Sequence, residues 1–160
     1  GHLAAELFKS LTGTDLTHVP FKGVPQGLQA LVAGDVQVMF VGESAALPLA
    51  KSGRLRALAS SGPRRSTLFA DIPTLAEAGV TGYDVKGTFG LMLPAGAPGD
   101  IIARLNAEAA KVLAAPDVQG RMRAVGFEPQ PSTPQAFGAL IEAEIAKWAK
   151  VVRASGAKPD

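Results

Sequence analysis

Two histidines, His2 and His18, are the ordinary candidates for a catalytic base in this sequence of 160 residues. Nucleophilic catalysis at Ser or Thr needs such a base within hydrogen-bond reach, but neither histidine stands in a motif that supplies the partner. There is no Gly-x-Ser-x-Gly elbow, no phosphate loop ending in Gly-Lys-Ser/Thr and no Gly-x-Gly-x-x-Gly after a strand. His18 sits inside the apolar run Leu16-Thr17-His18-Val19-Pro20 and reads as a hydrogen-bonded structural residue. Metal chemistry has no better footing: His-x-x-x-His and cysteine are both missing. Glu142 and Glu144 stand two residues apart in a helical pattern, so they occupy different faces and read as solvated charges. No catalytic residue, metal site or cofactor is expected.

A different feature does recur: a loop that follows a strand-like run and enters a helix. One instance is Phe21-Lys22-Gly23-Val24-Pro25, and a second is Gly42-Glu43-Ser44. Exposed N–H groups and the positive end of the helix make such a start a receptor for a carboxylate, and open parallel sheets bind ligands just beyond the C-termini of their strands. The plain alternative is that these are ordinary turns, and periodicity alone does not separate the two readings.

The elements that would position these loops alternate in type. Leu3, Ala4, Leu7, Phe8 and Leu11 recur at helical spacing, with Gly13 where a C-terminal cap would sit. Residues 16–20 read as a strand, Pro25 suits the first turn of a helix that stops near Gly34, and residues 36–41 form a buried-strand candidate. Ser44 reads as the N-cap of a helix over 45–51, residues 55–59 as a further strand, and residues 74–78 as a short helix with Thr74 and Glu77 as a capping box. This alternation indicates βαβ units, hence an α/β fold whose parallel sheet is flanked by helices. Residues 85–93 read as a long extended run ending at Pro94-Ala95-Gly96-Ala97-Pro98, after which the pattern becomes helical over 99–114, 116–124 and 133–154. Phe127-Glu128-Pro129 reads as a small strand or a spacer, and the seven Phe read mostly as core.

Composition narrows the class. Hydrophobic residues make up 47% and charged residues 19%, which is globular. Sixteen Lys+Arg against fourteen Asp+Glu leave +2, scattered apart from Arg64-Arg65, so no nucleic-acid footprint is present. No run approaches the roughly 20 apolar residues of a membrane span, and no charged-then-apolar leader is visible. The absence of cysteine excludes disulfides but leaves the compartment open.

Several stretches resemble, in order and spacing, the Bug receptors, the periplasmic solute-binding proteins of tripartite tricarboxylate transporters. They are residues 2–9, residues 12–23, Gly34-Asp35-Val36-Gln37-Val38-Met39-Phe40, Ser52-Gly53-Arg54-Leu55-Arg56-Ala57-Leu58-Ala59, the Arg65 loop, Phe89-Gly90-Leu91, Pro94-Ala95-Gly96 and Ala143-Glu144-Ile145-Ala146-Lys147-Trp148. Asp71-Ile72-Pro73-Thr74-Leu75-Ala76-Glu77-Ala78-Gly79 belongs with them, and its Pro-Thr-x-x-Glu-Ala-Gly stretch, residues 73–79, is the most diagnostic piece. The resemblance covers essentially the whole chain and about the C-terminal half of such a receptor. It implies a two-lobed, Venus-flytrap protein that closes over a small carboxylate, a di- or tricarboxylate or an aromatic one, and delivers it to two membrane subunits. It further implies a periplasmic location, with a signal peptide upstream.

By this likeness residues 1–92 are most of the second lobe, and residues 93–160 are the crossover and helices returning to the first. The segments that match solute-facing ones are Gly1-His2, Lys22-Gly23-Val24 and Val41-Gly42-Glu43, through backbone N–H groups, with Phe89 at an aromatic position near the cleft. Many relatives carry a small hydroxyl residue where Val24 stands and Asp or Asn where Val41 stands, so the resemblance points to a plain carboxylate rather than an amino acid. The long helices are expected to expose apolar faces, with weak solubility or dimerisation as the result.

Two other functions remain open on sequence grounds. One is an α/β enzyme whose acid, base or cofactor loop lies in an N-terminal half outside this sequence, with His18 or Glu43 contributing. The other is a periplasmic sensor that presents its loaded form to a signalling partner.

Overall fold

The computed structural model describes residues 1–157, which contain six helices. The chain divides into two compact units, one of residues 1–87 with 148–157 and one of residues 88–147. The first carries α1 (His2–Thr12), α2 (Val24–Ala33) and α3 (Glu43–Lys51). The second carries α4 (Gly99–Ala114) and α5 (Pro116–Ala124), and α6 (Pro134–Ser155) runs from it into the last residues of the first.

Helix ends follow local chemistry. α1 and α2 stop on Gly13 and Gly34, both left-handed with φ 68° and 87°, the conformation that glycine enters without Cβ strain. Pro116 opens α5, where its missing N–H would have had no helical partner. Thr133 caps α6 by accepting the Ala136 N–H on its hydroxyl at 3.1 Å. α4 and α5 span the residues that their periodicity indicates.

Two local expectations change, and one open alternative is settled. Ser44 does not cap α3: Gly42 does, and the helix begins one residue before Ser44. Residues 74–78 form turns rather than a helix, although both capping-box bonds are present. Thr74 N–H donates to Glu77 Oε2 at 2.9 Å, and Glu77 N–H donates to Thr74 Oγ1 at 3.0 Å. Gly79, with φ 100°, closes the segment before a second helical turn can form. Phe127-Glu128-Pro129 is a spacer.

The expected parallel ladder is likewise not formed among the described residues. Segments 16–20, 36–41 and 55–59 do not join one another by backbone hydrogen bonds, the chain bends at residues 35–37 and 54–55, and one isolated parallel bridge links Ser60 to Thr74. An apolar run specifies extension and burial. A ladder additionally needs the backbone polar groups of neighbours in register, about 4.8 Å apart.

The first unit packs around α1. Ala4 is buried, Phe8 lies 5.8 Å from Phe40 and 6.4 Å from Tyr83, and Tyr83 donates its hydroxyl to the Ala4 carbonyl at 3.0 Å. Gly27, Leu28 and Ala30 of α2 and the hydroxyl-bearing Thr74 complete the buried set among the described residues. In the second unit apolar side chains stand largely in solvent: Phe89, Leu91 and Met92 are more than 70% exposed, and Ile101, Leu105 and Val112 line an open stripe on α4. Phe89, Phe21 and Phe127 therefore depart from the expectation that the phenylalanines are core.

Candidate functional site

The starts of α1, α2 and α3 share one construction. Each N-cap is glycine, Gly1, Gly23 and Gly42, and none of the three helices has a side-chain cap bond. Without a Ser, Thr, Asp or Asn oxygen to receive them, first-turn N–H groups are left to an external acceptor at the positive end of the helix dipole. Gly23 has φ 105° and ψ 168°, a conformation open in practice to glycine alone.

Two contacts bring these starts together within the first unit. Gly1 packs so closely on the backbone of Phe40 that a Cβ would lie 2.8 Å from the Phe40 carbonyl oxygen. Gly27, in the first turn of α2, faces Met39 and Phe21, and a Cβ there would lie 2.8 Å from Met39 Cε. α1 and α2 thus both bear on residues 39–40, directly before Val41 and the Gly42 cap of α3. His2 extends this contact by stacking on His18, with ring centroids 3.7 Å apart and planes 5° from parallel, while its Nε2 lies 3.9 Å from Glu6 Oε1. His18 is exposed rather than enclosed in an apolar strand.

Not every N–H in these loops is available. The Lys22 N–H donates to Gln26 Oε1 at 3.1 Å, and the Gly23 N–H to the Phe21 carbonyl at 2.8 Å. Gln26, three residues after the glycine cap, was absent from the sequence expectations, although Gln at that spacing is the reciprocal half of a capping box. Ser66 was absent as well: its hydroxyl donates to Glu43 Oε2 and accepts the Leu68 N–H at 3.0 Å. Nothing local in sequence signals a bond across 23 residues.

Phe89 belongs to the other unit, where it packs edge-on against Phe127 with centroids 5.2 Å apart. An open apolar cleft of about 480 Å³ lies along α2, between Leu28, Val32 and Leu49 with Arg54 at its edge; none of the expected site residues line it. Among the described residues no group of three His, Cys, Asp or Glu is placed to hold a metal, and no helix is long and apolar enough to cross a membrane.

Helix starts without side-chain caps are able to receive an anion. The chain belongs to the family described as tripartite tricarboxylate transporter family receptor, whose model matches residues 1–157. Among curated proteins it is 36% identical over 157 residues to Protein BugT of Bordetella pertussis, covering 98% of this chain and 48% of that one. It is 35% identical over 152 residues to a protein encoded in the clcB-clcD intergenic region of Pseudomonas knackmussii, covering 94% of this chain and 90% of that one. Apart from that shorter relative, the chain spans about half the length of the curated relatives it matches.

The solved structures agree. The R. palustris protein Rpa4515, determined with adipate, is 38% identical and superposes with a TM-score of 0.90 over 100% of this chain and 54% of its own. MatC from Rhodopseudomonas palustris, determined with bound malate, is 34% identical with a TM-score of 0.82, covering 94% of this chain and 52% of that one. The periplasmic binding protein BugD, 26% identical, also reaches 0.82, covering 99% of this chain and 54% of its own.

Proposed function

We propose that this chain is part of an extracytoplasmic receptor that captures a small carboxylate in the periplasm and passes it to the membrane subunits of a tripartite tricarboxylate transporter. The observation that carries this reading is the pair of relatives determined with adipate and malate, both dicarboxylates, at 38% and 34% identity. The glycine-capped starts support it, because His2, Val24 and the Gly42-Glu43 start offer backbone N–H groups at helix ends that favour a carboxylate. The role is capture without turnover, and no cofactor takes part.

In the same reading, residues 1–92 are most of one lobe and residues from 93 onward return to the other, with Phe89 at an aromatic position near the solute. The open apolar stripes of α4 and of residues 89–93 support it, since a large exposed apolar patch calls for a cover. Affinity then comes from closure of two lobes as well as from contacts. Val24 lacks a hydroxyl donor and Val41 lacks the Asp or Asn acceptor that would hold an amino group, so the solute in this reading is a plain carboxylate.

The test is thermal melting of the product of the complete reading frame against mono-, di- and tricarboxylates, amino acids and nicotinate. A ligand that binds only the folded state raises the melting temperature. A shift with carboxylates and none with aspartate or glutamate is expected, whereas silence across the carboxylates overturns the reading.

A further inference from the structure

α2 contains no charged residue, and Pro25, Leu28, Gln29 and Val32 fall at spacings of three and four that place them on one face of it. With Leu49 of α3 and Arg54, that face lines the open cleft of about 480 Å³. Arg54 reaches the cleft through a defined turn. The Gly53 N–H donates to the Ala50 carbonyl at 3.0 Å and the Arg54 N–H to the Leu49 carbonyl at 2.9 Å, with Gly53 left-handed at φ 71°. These are the two bonds of a Schellman cap, which sets the residue after the glycine beside the one five positions back, here Arg54 beside Leu49. Among the described residues the Arg54 guanidinium makes no hydrogen bond or ion pair, with Asp35 at the end of α2 or with any other group, and the Gln29 amide makes none either. A charge-free helix face, an apolar lining and one unpaired cation thus share a single concavity.

We propose that this cleft is a second binding site, separate from the glycine-capped helix starts, and that it takes a medium-chain monocarboxylate with its alkyl chain along Leu28, Val32 and Leu49 and its carboxylate on the Arg54 guanidinium. Its volume lies in the range of small-molecule sites, which are mostly apolar with a few polar groups that fix orientation. A guanidinium offers a carboxylate two parallel N–H donors. One such group at the edge of an apolar lining fits one charge and one tail. A dicarboxylate would have to lay its second charge against Leu28 or Val32, where an unpaired anion loses its hydration without compensation. None of His2, Val24, Val41 and Glu43 lines the cleft, so the inference goes beyond the receptor reading and does not rest on it.

The experiment is isothermal titration of the product of the complete reading frame with butyrate, hexanoate, octanoate, octylamine and adipate, on the wild type and on R54Q, with methyl NMR of the wild type in parallel. The cleft is open on one side, so about half of each methylene is buried, and affinity is expected to rise about fourfold for every two methylenes from butyrate to octanoate. Octanoate is expected to shift the methyl resonances of Leu28, Val32 and Leu49 saturably, and octylamine to leave them in place. R54Q, at an exposed position, is expected to weaken octanoate about tenfold while keeping the dependence on chain length and leaving adipate unchanged. Octanoate affinity that ignores chain length or is unchanged in R54Q, equal shifts with octylamine, or displacement of octanoate by adipate overturns the inference. So does the absence of shifts at the three methyl sites, the outcome if another part of the complete protein or a second copy fills the cleft. If R54Q does not fold, the methyl shifts and the octylamine comparison decide. Octanoate binding beside silence from adipate and the other dicarboxylates upholds this site and counts against the receptor reading alone.

Discussion

The Tyr83 hydroxyl donates to the carbonyl oxygen of Ala4 at 3.0 Å, joining residues 79 apart in sequence and fixing the first turn of α1 against the segment that follows Gly82. Tyr83 is 2% exposed, and Ala4 is also buried. The bond therefore sits where an unpaired polar group would be most unfavourable, and it anchors the helix whose start carries Gly1 and His2.

Burial pushes the Tyr83 phenol up to about 12. A raised value means that the neutral phenol is favoured by folding. Its contribution is fully present below the ordinary tyrosine value of 10.0 and is lost as pH rises from there through about 12. The sequence contains a single tyrosine, so phenolate absorbance reports this group alone. Titration should show a midpoint near 12 or coincident with alkaline unfolding. Tyr83→Phe, which leaves the Ala4 carbonyl without its donor, should lower stability by about 1–2 kcal/mol in denaturant melts.

Thr74 and Glu77 bind each other reciprocally, and Arg65 Nε donates to Glu77 Oε2 at 2.8 Å. The Thr74 backbone N–H, followed by the Arg65 side chain, holds the Glu77 carboxyl below its ordinary 4.5. A depressed value contributes stability above the unfolded value, and that contribution disappears as pH falls through the folded one. Thr74→Ala should cost about 1 kcal/mol through the lost cap and should raise the Glu77 midpoint in carboxyl NMR titration. Glu77→Gln should flatten the pH dependence of melting below 4.5.

Leu91 and Met92 are 78% and 73% exposed. Static light scattering of this chain should show concentration-dependent association. The double substitution of Leu91 and Met92 to Ser should reduce it while changing stability by less than about 0.5 kcal/mol, as expected for surface positions without structural partners.

Helices were legible because their signals are local. The periodicity of α4, the proline that opens α5 and the glycines after α1 and α2 each act within a turn of the chain. The loop-to-helix starts at Gly23 and Gly42 were legible for the same reason. Ser44 misled because a good capping side chain lay one residue inside a helix that glycine had already begun. Thr74 and Glu77 formed their box, but too few residues follow before Gly79 to propagate a helix. Apolar runs such as 36–41 carry no information on which backbone they pair with, so strand pairing was illegible. Ser66 on Glu43 and Tyr83 on Ala4 are long-range bonds and left no local trace.

The central claim is that a carboxylate is received at the three glycine-capped helix starts. It is tested most directly by following backbone amide resonances of the complete receptor during titration with the carboxylate that stabilises it most. Saturable shifts concentrated at His2, Val24, Gly42 and Glu43, with little change along α5, are the predicted result. Shifts confined to residues outside these starts, or none at saturating ligand, would contradict it.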